Sequence, residues 1–258
     1  MLLGIDHVIV AVPDLEGASA ELERAVGLSV GGGGRHEAHG THNRLAWLGD
    51  SYLELMGVFD AHLAAQSWWG QHALAVIDAG GGPMGVALAT DHLAADVARL
   101  RGLGSPILDP EPGERVRPDG DIVRWQIGRL PAVDPDLGLA FLIEHDTAAA
   151  EWRPADRAAR AAEDQPLGTP ARLLRVELPV ADLRAAMNRL LRELGLQFRP
   201  ALAGAGARDA SIGGHVLRLL PARPGWPTLR PTVVLRGGSE PRDVEVLGVR
   251  WLGVPAAG

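Results

Sequence analysis

Three stretches of the chain repeat one another, and an internal repeat constrains a fold more tightly than any local propensity. Residues 5–15 read IDHVIVAVPDL and run on into EGASAELERAVGL. Residues 84–93 read MGVALATDHL and run on into AADVARLRGLG. Residues 173–183 read LLRVELPVADL and run on into RAAMNRLLRELGL. Each is an aliphatic run, a polar break, a leucine, and then apolar residues at helical spacing ended by glycine. Leu15, Ala18, Leu22 and Val26 form the first helical stripe, with Gly27 placed to end it. Asp14, Asp91 and Asp182 stand near the three helix starts, where a carboxylate can cap free N–H groups.

Strand-like runs follow each helix. They cover 45–48 and 52–58 around Gly49-Asp50, then 122–130 and 139–145, then 210–212 and 215–220 around Gly213-Gly214. The pattern predicts an α+β fold of repeated βαβββ modules. Residues 232–236 and 244–252 supply strands without a helix, either a degenerate fourth module or a closing hairpin. Residues 60–82 read as a connecting helix in which Trp68 and Trp69 pack on a sheet. Residues 147–170, rich in Ala, Arg and Glu and bounded by proline, read as a linker. The expected division is a module pair over 1–146, the linker over 147–170, and a third module with C-terminal strands over 171–258.

Charge and composition narrow the function. The net charge is −7, which argues against a nucleic-acid or anionic-membrane surface. All basic residues are arginine, so Schiff-base and P-loop lysines are excluded. There is no cysteine, and hence no disulfide, thiolate ligand or cysteine nucleophile. The N-terminal stretch places Asp6 and His7 inside an apolar run and reads as a strand rather than a signal peptide. No apolar run approaches membrane-span length. The expectation is a cytoplasmic monomer or homodimer that takes a small-molecule substrate, with no nucleic-acid or membrane partner.

Strand alternation sorts the polar residues. Val8, Val10 and Val12 share the face that a helix would cover, leaving His7, Ile9 and Ala11 opposite. On the last strand of the module Leu53 and Leu55 join the helix face, leaving Tyr52, Glu54 and Met56 beside His7. Aligning the modules puts Gly85 and Arg175 at the His7 position, and Glu144 and Arg218 at the Glu54 position. By the same alternation His145 faces away from the cleft. Glycines 31–34 predict a flexible turn that carries His36 either into solvent or over the cleft as a proton shuttle. Thr41, Asn43 and Arg44 converge near it as substrate contacts. Arg117, in a Pro-Asp-Gly turn, could clamp an anionic substrate, and Trp125 could line the cup. His39 and His42 read as surface or hydrogen-bonding residues. Arg175 and Arg218 read as partners of Glu177 or other acids.

Several motifs together resemble the vicinal oxygen chelate superfamily, in its glyoxalase, bleomycin-resistance and dioxygenase group. They are Gly33-Gly34-Arg35-His36, Gly40-Thr41-His42-Asn43, residues 48–55 (LGDSYLEL), residues 115–120 (RVRPDG) and residues 141–144 (FLIE). The resemblance covers about residues 3–146. It implies paired modules forming a cup, with ligand positions at His7, Glu54, Gly85 and Glu144. Three of these, His7, Glu54 and Glu144, can bind a divalent metal such as Zn, Mn, Fe or Ni. Glu144 or His36 would then move a proton in an isomerase, epimerase, lyase or hydrolase reaction, with no nucleotide or flavin cofactor. The alternative is a metal-free, drug-sequestering module of the bleomycin-resistance type, which a chain with 4% aromatic residues does not favour. An extradiol dioxygenase needs a second histidine where Gly85 stands.

Overall fold

The first strand, β1 (Gly4–Ala11), is buried along its whole length, so both of its faces are committed to packing. Its valines Val8 and Val10 join Leu53 and Leu55 in the main core, and Ile9 and Ala11 join Met56 in a separate cluster on the opposite face. The computed structural model describes residues 2–204, 206–222 and 230–256. In it, β1 leads to helix α1 (Leu15–Val26) and strands β2 (Gly31–His36), β3 (Thr41–Leu48) and β4 (Ser51–Val58). Two helices, α2 (Ala61–Ala64) and α3 (Trp68–Asp78), connect to the second module. That module is β5 (Gly82–Ala89), α4 (Leu93–Gly102), β6 (Glu111–Val116), β7 (Ile122–Arg129) and β8 (Leu139–His145).

These eight strands close into a barrel in the order β1-β4-β3-β2-β6-β7-β8-β5. The modules meet at two seams. At one, β1 and β5 run antiparallel, pairing His7 with Ala87 and Ile9 with Gly85. At the other, β2 touches β6 at Arg35 and Val116. The glycine run makes this second seam possible: a Cβ on Gly34 would sit 2.1 Å from the Val116 carbonyl oxygen. The expected flexible turn is therefore a strand, in which Gly33 and Gly34 admit the close approach of the Asn43 and Val116 backbones.

After α5 (Pro154–Ala162), a third module follows: β9 (Arg172–Val180), α6 (Leu183–Leu194), β10 (Arg199–Pro200), β11 (Arg208–Ile212) and β12 (His215–Pro221). Strands β13 (Thr232–Arg236), β14 (Arg242–Val246) and β15 (Val249–Val254) complete an open sheet, β10-β11-β12-β9-β13-β15-β14. The pairing resolves what the last strands are. β13 lies antiparallel to β9 and parallel to β15, as β5 lies to β1 and β8. They form a fourth module without a helix among the described residues.

The outer face of the barrel and the second sheet share one core, in which Val8, Leu22, Leu88, Val176, Leu190 and Trp251 are all buried. The helices are capped in two ways. Asp14 accepts from the Glu16 and Gly17 N–H groups and Asp182 from Ala185. At α4, contrary to expectation, Asp91 does not cap: the Leu93 N–H donates to the Glu144 carboxylate on β8, at 2.8 Å.

The halves abut closely where the β11–β12 turn meets the chain entering β1. Gly213 has φ +55°, and a Cβ there would lie 1.7 Å from the Leu3 carbonyl oxygen. Gly213→Ala is expected to lower stability by about 2–3 kcal/mol through clash and left-handed strain. A urea-unfolding midpoint that drops with unchanged slope checks this, and an unmoved midpoint contradicts it.

Candidate functional site

The barrel interior holds a cavity of about 830 Å³, including its open mouth. Five of the seven tryptophans line it: Trp47, Trp68, Trp69, Trp125 and Trp152. Tyr52 and Phe141 complete an aromatic wall. Trp68 and Trp69 come from α3, so the connecting helix contributes to the cavity as well as to packing. A low aromatic content overall thus conceals a strongly aromatic pocket.

Polar groups gather at one side. Glu54 on β4 is the hub: its Oε2 lies 3.5 Å from His7 Nε2 and its Oε1 lies 4.0 Å from His36 Nε2. Asn43 Nδ2 donates to the same Oε1, while the Asn43 side-chain oxygen accepts from the Gly34 N–H at 2.9 Å. Both imidazoles are braced from behind. His7 Nδ1 donates to Asp6 Oδ1 at 2.6 Å, and His36 Nδ1 bonds Thr41 Oγ1 at 3.0 Å. The Tyr52 ring stacks on His7 with centroids 4.5 Å apart. All of these side chains except Thr41 and Asp6 line the cavity.

Asp6 works from the layer beneath. A register shift between Ile5 and His7 interrupts the β1–β5 ladder at this residue. Its carboxylate accepts from His145 Nε2 at 3.2 Å as well as from His7. Burial alone would raise the Asp6 carboxyl, but His145 and His7 beside it hold it well below the usual carboxylate range. An ionised Asp6 requires a proton on His7 Nδ1. Burial, and next to it the Arg115 guanidinium, push His36 well below its ordinary value, so its ring is uncharged near neutrality. Burial and the charges of Asp6 and Glu54 push the Tyr52 hydroxyl well above its own.

The expected third ligand is not here. In the barrel Ile9 pairs with Glu54 and, across the pseudo-two-fold, Ala87 pairs with Phe141. Phe141, not Glu144, therefore stands where Glu54 stands in the first module. The sequence alignment was off by three positions, and an odd shift turns a strand residue to the other face. Glu144 lies on the helix side, capping α4, and His145 takes the inward place that alternation had denied it. Gly85 does occupy the His7-equivalent position, and a Cβ on it would lie 2.4 Å from the Leu139 carbonyl oxygen. Two of four corners thus carry donors. Among the described residues no group of three His, Asp or Glu side chains is placed to hold a metal ion. The residues present do not fit the three-ligand centre of His7, Glu54 and Glu144.

Other expected contacts divide. Trp125, Tyr52 and Asn43 line the cavity, and Thr41 is fully buried behind His36. Arg44 points outward to Glu16. Arg117 sits among Asp119, Asp121 and Glu151 outside the cavity lining, while Arg115, two residues earlier, faces inward. His39 also lines the cavity, and His42 packs its ring edge against Phe59. Arg175 and Arg218 pair with Glu177, and Arg218 also holds Asp209. Residues the sequence did not single out are Arg115, Glu151 and Trp152. Strand alternation along β6 would have pointed to Arg115, but Pro112 and Gly113 hide that strand.

A family model described as a glyoxalase-like domain matches residues 5–195, beyond the reach of the motifs and into the third module. No curated protein matches the chain. A solved structure of a hypothetical protein from Staphylococcus aureus is similar over 99% of this chain and 100% of its own, with 16% identity and a TM-score of 0.80. A Streptomyces coelicolor methylmalonyl-CoA epimerase in complex with 2-nitronate-propionyl-CoA is 23% identical. It aligns over 55% of this chain and 97% of its own, with a TM-score of 0.41. The methylmalonyl-CoA epimerase from Mycobacterium tuberculosis is 22% identical over 55% and 87%, also with a TM-score of 0.41. The first of these shows the same fold along the whole chain.

Glu144→Ala is expected to cost about 1 kcal/mol as a lost helix cap. Tryptophan emission and metal content should stay as in the wild type; a changed metal content would restore Glu144 as a ligand. The pH dependence has a defined sign. His36 stays neutral in the fold while the unfolded chain protonates below its ordinary 6.5. Stability from this group is complete above that pH and falls below it, with a slope approaching about 1.4 kcal/mol per pH unit. Urea unfolding at pH 8 and pH 5.5 measures the slope, and His36→Gln should reduce it, leaving the part due to His39, His42, His72 and His215, which burial also lowers.

Proposed function

We propose that this chain, which belongs to the glyoxalase-like domain family, is a proton-transfer enzyme that isomerises, epimerises or eliminates a small oxygen-rich substrate inside its barrel. The observation that supports this most is the uncharged, buried His36, whose Nε2 stands 4.0 Å from Glu54 on the wall of an aromatic cavity. Neutral imidazole is the form of histidine that can accept a proton.

The roles follow from the hydrogen bonds. Thr41 bonds to His36 Nδ1 and fixes the ring, leaving Nε2 to take a proton from a carbon beside a carbonyl or carboxyl group. Asp6 holds His7 so that its Nε2 and Glu54 face each other at the cavity wall, where both can bond a substrate oxygen as charge develops there. Protonation of the opposite face by a second acid, the place open to His7 with Glu54, epimerises the carbon; return of the proton by His36 to a neighbouring atom isomerises it, and its transfer to a group leaving that atom completes an elimination. The tryptophan wall excludes water and favours a flat, conjugated intermediate. A metal-assisted version of this chemistry would need a third donor, which neither Gly85 nor Phe141 supplies.

A second reading is supported by the same wall. Five tryptophans around one cavity suit a protein that holds a flat ligand without changing it.

Exchange of carbon-bound hydrogen separates the two. Small 2-oxo acids, 2-hydroxy acids and acyl thioesters are incubated with chelator-treated protein in D₂O, and deuterium incorporation is followed by NMR. Incorporation that falls by about 10²-fold or more in His36→Gln and Glu54→Gln is the expected result. Tryptophan quenching by a compound that shows no exchange would replace the enzyme with the holding protein.

A further inference from the structure

The strand β6 carries a cation that the proton chemistry leaves unused. β6 pairs with β7 so that Arg115 stands opposite Val123, Gly113 opposite Trp125 and Glu111 opposite Ile127. Val123, Trp125 and Ile127 all line the cavity, and so does Arg115. The Arg35–Val116 contact between β2 and β6 sets His36 beside Arg115. The guanidinium is 4% exposed. Its Nη2 donates to Glu151 Oε2 at 2.5 Å, but its Nη1 is buried with no hydrogen-bond partner. A buried guanidinium with a free N–H group is costly unless something accepts from it.

Glu151 is an unusual partner. It lies in the segment joining the barrel to the second sheet, and its φ is +71°, a left-handed conformation shared with only one other non-glycine among the described residues. Its side chain is held by two arginines at once, Arg115 and, at 3.2 Å, Arg117. Its N–H donates to Asp156, and its carbonyl accepts from Arg160. The next residue, Trp152, stacks on His145 with centroids 3.5 Å apart and covers the cavity from the same side. The strap thus places a carboxylate, followed at once by a flat aromatic ring, into the cavity.

We infer that Arg115 is the anchor for a carboxylate on the ligand, and that Glu151 occupies this anchor in the free protein as a tethered competitor. The strap's own carboxylate and indole stand where an acidic, flat ligand would place its parts. A ligand carboxylate would bond Nη1 and Nη2 together, the two-pronged geometry that guanidinium groups favour. It would release Glu151 to Arg117, which already touches its other oxygen. The substrate class is then a small carboxylic acid, held with its acid group at Arg115 and its reactive carbon toward the adjacent His36. This inference rests on the reading that ligand binds inside the barrel, but it fails or stands separately from the proton chemistry.

The test compares benzoate with benzamide, two flat probes of nearly equal shape that differ in charge. Calorimetric titration is run on the full chain and on Glu151→Gln and Arg115→Met. Glu151→Gln should bind benzoate at least about 10-fold more tightly than wild type while benzamide is unchanged, because the internal competitor is gone. Arg115→Met should lose the preference for benzoate over benzamide and keep benzamide binding. Equal benzoate affinity in Glu151→Gln and wild type overturns the inference, as does a parallel gain for benzamide. Absence of benzoate binding in every variant overturns it too. If Arg115→Met does not fold, the Glu151→Gln comparison decides alone. Tight benzoate binding, with no deuterium entering any of the 2-oxo acids, 2-hydroxy acids or acyl thioesters, would remove the proton-transfer reading and leave the carboxylate anchor standing.

Discussion

The molecule is arranged around a strand buried on both faces. β1 can pair with β4 and β5 through its backbone, but its side chains need two separate apolar environments. On one side the valines are covered by α1 and, beyond it, by the core shared with the second sheet. On the other they give way to Ile9, Ala11 and His7, which need a second enclosure, and the barrel supplies it. The cavity exists because the inner face of β1 must be sheltered. The open second sheet completes the cover of the outer face, and this is consistent with a half that has lost a helix and kept its strands.

Much of this was legible in the residues. The three repeats carry helical stripes that hold in the structure, and Gly27 and Gly195 end α1 and α6 in the left-handed conformation, because periodicity and these caps are local properties. The inward placement of His7, Tyr52 and Glu54 followed from alternation within one short module. What failed was register across modules. Nothing in the run Phe141-Leu142-Ile143-Glu144 says which residue stands level with Glu54; only the pairing of Ala87 with Phe141 decides that. The glycine run was misread for a similar reason. Its last member, Gly34, admits the Val116 backbone, more than seventy residues away. Composition misled as well: a percentage of aromatics carries no information on whether they cluster.

The electrostatics of the cavity are organised by burial more than by count of charges. Asp6, Glu54, Glu111 and Glu151 all lie in or under its wall, yet each has a specific partner: His7 and His145, Asn43, Arg129, and the pair Arg115 and Arg117. Asp6, Glu54 and Glu151 could not otherwise be buried so close together. The same dryness keeps His36 uncharged and Tyr52 protonated. Each of these groups has its protonation state set by the fold, which makes them usable as fixed donors and acceptors.

The replacement of the second module's polar corners by Gly85 and Phe141 has a geometric consequence. A barrel built from two similar modules offers a ligand two orientations related by its approximate dyad. In this chain one orientation meets His7, His36 and Glu54, and the other meets a bare backbone and a phenyl ring. The degeneracy is removed, and a bound molecule meets the reactive groups in one of its two orientations. The erosion of one module therefore leaves the container with a single working orientation in place of two equivalent ones.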